Sequence, residues 1–252
     1  MNFEQVKAML DVFNANLPAG VERKLHVGAM MSYKTLNGLP TKWEAVFPRK
    51  EDIATIFSSD ETYNCLHYVA DDMRDDRELW RNMAIAISPY GGIGIHAIQL
   101  DRVVWPDPLQ IFNGIHTSRH DDDVEVILQI SGVALDEVGN NPEELVERLR
   151  DYETVIHRVL LDKSMGQGLG LDAVGLLPFL SAIAESLPNL GLVVAGGIGP
   201  DTAHLIGPIV KEFPDISWDA QSKLHVDGHA MNPVDWDRAT AYLENTLKLL
   251  AA

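Results

Sequence analysis

The sequence predicts an α/β protein, a single-domain (β/α)8 TIM barrel over residues 1–252 with an extra helix at its N-terminus. Three observations carry that expectation. Strand-like runs apolar on both faces alternate with helical patterns, the signature of a parallel sheet covered on both sides. Seven such strands are clear and an eighth is available, and eight in one domain favour a closed ring over an open sheet. The length of 252 residues suits one barrel, and no linker, repeat or low-complexity block divides it.

The elements follow in order. Phe3, Val6, Met9, Leu10 and Phe13 share one helical face and predict the leading helix. KLHVGAMM (24–31) reads as the first buried strand, and TKWEAVF (41–47) supplies the eighth. KEDIATIF (50–57) is helical, YNCLHYVAD (63–71) a strand, DRELWRNMAIAI (76–87) a helix and IHAIQLD (95–101) a strand. DPLQIFNGIHTSR (107–119) precedes the strand VEVILQIS (124–131). In NPEELVERLRDY (141–152), Asn141 is placed to cap a helix that has Pro142 at its first position. TVIHRVLLD (154–162) is a strand and GLLPFLSAIAESLP (175–188) a helix. LGLVVAGGIGP (190–200) is a strand running into a glycine turn, and DTAHLIGPIVKEF (201–213) a helix with Asp201 as its expected cap. ISWDAQSKL (216–224) is the last strand, and residues 232–250 close the chain as a helix. The open-sheet alternative wants a glycine fingerprint after the first strand, and SYKTLNGLPTK is not one.

Composition narrows the function. Against 37 Asp and Glu stand 20 Lys and Arg, a net charge of −17 with no basic run longer than two, so neither nucleic acid nor anionic lipid is expected as a partner. The start MNFEQVKAML lacks a basic n-region followed by an apolar stretch, and no 18-residue apolar run exists. The expectation is a cytoplasmic protein without a membrane span. Cys65, the single cysteine, cannot form an internal disulfide or a cysteine-based zinc site. A homo-oligomer is compatible with the sequence but not specified by it.

In a parallel barrel every strand delivers its last residues to one face, where chemistry is done. Four strands end in aspartate: Asp71, Asp101, Asp162 and Asp219. Each could simply begin its loop with a turn hydrogen bond, but four together suggest a shared site. Crowded carboxylates either raise one another's pKa, which suits acid–base work, or hold a divalent cation. Gly196-Gly197-Ile198-Gly199-Pro200, between a strand and a helix, suits a phosphate cradle built from backbone N–H groups, although such a turn alone is weak evidence. MGQGLG (165–170) after Asp162 is either a plain loop or a lid. His96, His116 and His120 lack zinc-site spacing and are expected in structural roles. Met30 and Met31 read as core filler, Trp43, Trp105 and Trp218 as packing, and His120 to Asp123 as a solvated loop.

With these residues assembled, the sequence resembles phosphoribosylanthranilate isomerase, an eight-stranded barrel family of tryptophan biosynthesis. The likeness is best over 154–247. LLDKSMGQGLGLD (160–172) is similar to that family's sixth strand with its general acid and glycine loop. VVAGGIGPDTA (193–203) is similar to its phosphate loop, and 218–244 to its last strand and helix. FPR (47–49) is a weaker likeness to a segment whose arginine binds the substrate carboxylate. The resemblance implies Asp162 as the acid, Arg49 on a carboxylate, and Gly168, Gly196, Gly197, Asp219, Ser222 and Lys223 around a small anionic phosphorylated ligand. The family's first strand carries a cysteine base before a glycine. Here that pair is Val27-Gly28, so Asp71 or Asp101 is expected to replace the base. The expected function is Asp-based acid–base isomerisation of a phosphosugar or phosphoribosyl compound, with no organic cofactor. The alternatives are a non-catalytic phosphate-ligand binder and a metal-assisted lyase or hydrolase using the aspartate ring.

Overall fold

The computed structural model describes residues 1–70, 78–118, 124–162 and 171–251. It shows an α/β protein in which seven parallel strands form a sheet in chain order, β1 to β7. The strands are β1 (His26–Ser32), β2 (Tyr63–Val69), β3 (Ala97–Asp101), β4 (Glu125–Ser131), β5 (Arg158–Asp162), β6 (Gly191–Ala195) and β7 (Ser217–Asp219). These are the seven runs the sequence predicts, shortened at one or both ends, with β1 also running one residue further, to Ser32. The leading helix, α1 (Phe3–Asn16), starts with a reciprocal cap. The Asn2 N–H donates to Gln5 Oε1, and the Gln5 N–H donates to Asn2 Oδ1.

The predicted eighth strand is a correction. Residues 42–46 form consecutive turns, and no eighth strand occurs among the described residues, which form a sheet of seven strands in place of the expected ring of eight. Both the Val46 and Phe47 N–H groups donate to the Trp43 carbonyl at 2.9 Å, and the Trp43 and Phe47 rings stack 5.3 Å apart. Aromatic residues four apart gain more from this local turn than from a strand flanked by Pro40 and Pro48.

Contacts divide the chain into two compact units. The first comprises 1–6, 24–129 and 151–158, and the second 7–23, 130–150 and 159–252.

In the first unit, β1 to β4 pair in parallel register, with Met30 beside His67, His67 beside Gln99 and Gln99 beside Ile127. The short helices α2 (Tyr33–Leu36) and α3 (Ile53–Ile56) precede β2. Between β2 and β4 lie α4 (Leu79–Ile85) and α5 (Pro108–Thr117). Asp107 caps α5 on the Leu109 N–H, with Pro108 in the first turn. One face of these strands is sealed. Ala29, Met31, Leu66, Tyr68, Ile98, Leu100, Val126 and Leu128 are all at most 1% exposed. Asn64 sits among them, fully buried. Its amide donates to the carbonyls of Phe57 (3.1 Å) and Gly94 (2.8 Å), and its oxygen accepts from the Thr62 hydroxyl (2.8 Å). A buried amide is tolerable only when its bonds are made in this way.

In the second unit, α6 (Gly132–Glu137) and α7 (Pro142–Arg150) come first, and the Asn141 side chain accepts the Glu144 N–H as expected. After β5, α8 (Ala173–Ser186) is capped by Asp172 on the Gly175 N–H. β6 pairs with β7, placing Ala195 beside Asp219. α10 (Trp236–Leu247) is capped by Asp235. Leu176, Leu180, Ile183, Val194, Ile206 and Ile209 form the dry centre of the unit. Arg23 ties the entry to β7 by donating to the carbonyls of Ile216 and Pro214, and it lies 5.1 Å over the Trp218 ring. The helix predicted over 201–213 is shorter than expected. A 3-10 turn (Ala203–Ile206) leads into α9 (Gly207–Glu212), and Asp201 caps neither.

Candidate functional site

β6 stops at Ala195 and hands the chain to Gly196 and Gly197, both at positive φ (113° and 63°), a turn that residues with a Cβ enter at a cost. The turn is closed by the Thr202 hydroxyl, which donates to the Gly197 carbonyl at 2.7 Å. Two residues on, Gly199 faces the segment after β7. A Cβ there would lie 2.4 Å from the Cβ of Lys223, so the close approach of Lys223 requires glycine. The Arg238 guanidinium, on α10, joins the two segments. Its Nε donates to the Lys223 carbonyl at 2.9 Å and its Nη2 to Asp201 at 3.1 Å.

The result is a cleft of about 280 Å³ lined by Gly199, Asp201, Thr202, Lys223, Asp227, Gly228 and Arg238. Arg238 answers Asp201 and leaves Lys223 as the cation with no ion pair among the described residues. Asp227, exposed and held at φ 56°, supplies a carboxylate to the same cleft. The pair of opposite charges suits a ligand with an anionic end and hydroxyl groups to donate. Asp162, at the end of β5, is 8% exposed, and Asp219 ends β7. Burial, reinforced by the Asp219 charge, pushes the Tyr242 phenol far up, so it stays protonated.

The first unit carries polar groups on the strand face opposite its sealed one. Near the carboxyl ends, His67 Nε2 lies 3.2 Å from the Asp101 carboxylate, and Gln99 donates to Gln129 at 2.9 Å. At the amino ends of the strands, Tyr63 donates to Glu125 at 2.6 Å and Arg158 Nε donates to the same oxygen at 2.6 Å. His26 and His96 stack on the Tyr63 ring at 4.4 and 5.5 Å, with the Arg158 guanidinium over it at 5.3 Å. Burial alone would raise the Glu125 pKa, but the bonds from Arg158 and Tyr63 hold it below the ordinary range. Burial, then the Glu125 bond, drives the Tyr63 phenol far up. His96 and His157 each accept a strand N–H at Nδ1, from Asn64 and Val126, which is the structural role expected of His96. His116 stacks on Phe112 at 3.8 Å and bonds its carbonyl.

Among the sequence-predicted site residues, Lys223 lines the cleft, and Gly196 and Gly197 form the turn that leads into it. Ser222 starts the 3-10 turn holding Lys223. In place of the expected cap, Asp201 pairs with Arg238 at 3.1 Å, and Thr202 stands immediately before the 3-10 turn. Arg49 is exposed and its fork is taken by Asp52, with Nε and Nη2 each at 2.8 Å. Asp101 bonds His67. Asp71, Gly168, residues 165–170 and the run from His120 to Asp123 lie outside the described residues. Of the packing residues, Met31 is fully buried, whereas Met30 is half-buried. The residues that sequence reasoning missed are His67, Thr202, Asp227 and Arg238. Only His67 left a signal, a titratable histidine within a strand predicted to be buried.

Among the described residues, no group of three or more His, Cys, Asp or Glu converges to hold a metal ion, and no helix is long and apolar enough to cross a membrane. Comparison with protein-family models gives no match, and comparison with curated proteins gives none either.

Proposed function

We propose that the chain is an isomerase-like enzyme that binds a small sugar phosphate, with the phosphate on Lys223 and the sugar hydroxyls toward Asp227. The observation that carries this reading is the cleft after β6, where an ammonium with no ion pair among the described residues lines the same cleft as a hydroxyl and a carboxylate. The Lys223 charge provides the attraction, and the Thr202 hydroxyl adds a donor once it leaves the Gly197 carbonyl. Asp227 accepts from sugar hydroxyls and disfavours a ligand that is only an anion, since a bare phosphate meets its charge without compensation. Asp162, low in exposure at the end of β5, is the proton donor in this reading, as the resemblance to phosphoribosylanthranilate isomerase implies.

The test is thermal shift with inorganic phosphate and with ribose 5-phosphate, on the wild type and on Lys223→Ala. At about a hundred times the Kd, a ligand adds roughly 2.7 kcal/mol of stability. For a chain of this size that raises Tm by about 5–10 °C. Ribose 5-phosphate should produce that shift more strongly than phosphate, and Lys223→Ala should abolish both. A shift that survives the substitution refutes the cleft as the site. Binding with no turnover, and no effect of Asp162→Asn, would favour the non-catalytic binder.

A further inference from the structure

The two cations of the cleft are held differently. The Lys223 stem runs between two glycines. A Cβ at Gly199 would lie 2.4 Å from its Cβ, and a Cβ at Gly228 would lie 3.5 Å from its Cδ. Arg238, in the first turn of α10, is anchored at one point, where its Nε donates to the Lys223 carbonyl at 2.9 Å. The rest of its fork is only partly used. Nη2 donates to one oxygen of Asp201 at 3.1 Å, and Nη1 has no acceptor among the described residues. The Asp201 side chain is 80% exposed, against 30% for Arg238. A single-point pair with so exposed a carboxylate is held weakly, because water and salt screen it and two side chains lose rotamer freedom to make it. The backbone beneath is docked independently, since the Pro200 carbonyl accepts from the Asn245 amide on α10 at 3.1 Å. The Asp201 side chain can therefore leave without moving its loop.

We propose that Asp201 is a tethered stand-in for the ligand's phosphate, and that Arg238 becomes the second phosphate-binding residue once the ligand displaces it. The inference rests on the sugar-phosphate reading above and adds a gate to it. A phosphate presents two oxygens to Nη1 and Nη2 together, a forked contact that Asp201 makes at one nitrogen only. The same group meets the Lys223 ammonium, which lines the same cleft. A single-point anion such as chloride gains nothing over the carboxylate already in place, so the gate selects for phosphate geometry. Of the other carboxylates nearby, Asp227 lines the cleft without an ion pair among the described residues. Asp235 is occupied in capping α10 on the N–H groups of Asp237 and Arg238, each at 3.1 Å. Asp201 is thus the carboxylate that competes for the guanidinium. All of these residues belong to the second compact unit.

Isothermal titration calorimetry of the full chain with ribose 5-phosphate and with inorganic phosphate tests the gate. Asp201→Asn should bind both about 2–5-fold more tightly, the contribution of an exposed ion pair converted to affinity. Arg238→Gln, which keeps a donor for the Lys223 carbonyl, should bind both about 10–100-fold more weakly. The deciding measurement is the double variant, in which Asp201→Asn should no longer tighten binding. A general change in surface charge would persist there, so a gain that survives without Arg238 overturns the proposal. An affinity left unchanged or weakened by Asp201→Asn overturns it too. If the wild type binds in a Lys223-dependent way and Asp201→Asn brings no gain, the gate falls and the sugar-phosphate reading stands. If neither the wild type nor Asp201→Asn binds either probe, both fall. Tightening through Arg238 that is indifferent to Lys223→Ala keeps the gate and removes the lysine from the reading.

Discussion

Glu125→Gln tests whether the cluster at the amino ends of β2, β4 and β5 acts as one electrostatic unit. In the wild type, one carboxylate oxygen receives both Tyr63 and Arg158, each at 2.6 Å. A hydrogen bond to a charged group contributes about 1.5–3 kcal/mol, and a neutral one about 1 kcal/mol. The glutamine amide retains an acceptor oxygen but loses the charge. Its amino group also donates toward Arg158, which has no acceptor to offer. Breaking a fully buried pair costs about 3–5 kcal/mol. Here Arg158 and Glu125 keep 26% and 33% exposure, so water screens part of the loss and about 2 kcal/mol is expected. That corresponds to a Tm lower by about 4–8 °C for a chain of this length. The Glu125 carboxyl is held below its ordinary value in the folded state, so its contribution is complete above the unfolded pKa and is lost as pH falls through the folded one. Urea denaturation of wild type and variant should therefore differ fully at pH 7 and converge under acid. A cycle with Tyr63→Phe should show coupling of at least about 0.5 kcal/mol. A gap that stays constant with pH, or coupling near zero, would refute the idea that the charge holds the cluster together.

Three further outcomes follow from the same geometry. Gly199→Ala places a methyl 2.4 Å from the Lys223 side chain and should cost about 1–3 kcal/mol while weakening ribose 5-phosphate binding by calorimetry, a loss not expected of a remote destabilising change. Asn64→Leu leaves the Phe57 and Gly94 carbonyls without their buried donor and should cost about 3 kcal/mol in denaturant melts. His96 is shifted down, by burial first and the Lys24 charge second, so folding favours its neutral form. Wild-type stability should fall as pH drops from the unfolded histidine pKa of about 6.5. A His96→Asn variant, which keeps an acceptor for the Asn64 N–H, should show a shallower decline in pH-dependent scanning calorimetry.

The strands were legible because burial on both faces writes itself as continuous apolar runs, and all seven clear runs became β1 to β7. Caps within three residues of their helices, such as Asn141 and Asp235, are likewise within reach of local chemistry, and Asn141 caps α7 as its sequence position predicts. The segment 41–47 misled because its aromatic content fits a strand and its i, i+4 stacking fits a turn, and sequence alone does not weigh the two. The candidate site was half visible. Gly196, Gly197 and Lys223 follow strands in the chain, so their neighbourhood could be read from order.

What the sequence determined alone is therefore whatever depends on nearby residues: where each strand and helix lies, and which segments follow strand ends. Tertiary structure alone decided the pairings across long separations. Strand register brought His67 to Asp101, 34 positions away, and packing of α10 brought Arg238 to Asp201 across 37. Tyr63 likewise reached Glu125 over 62 positions. Periodicity reports which face a residue occupies. A two-residue slip between strands would exchange the partners of His67 and Tyr63 while leaving every side chain on its face, so only the hydrogen-bonded register selects them.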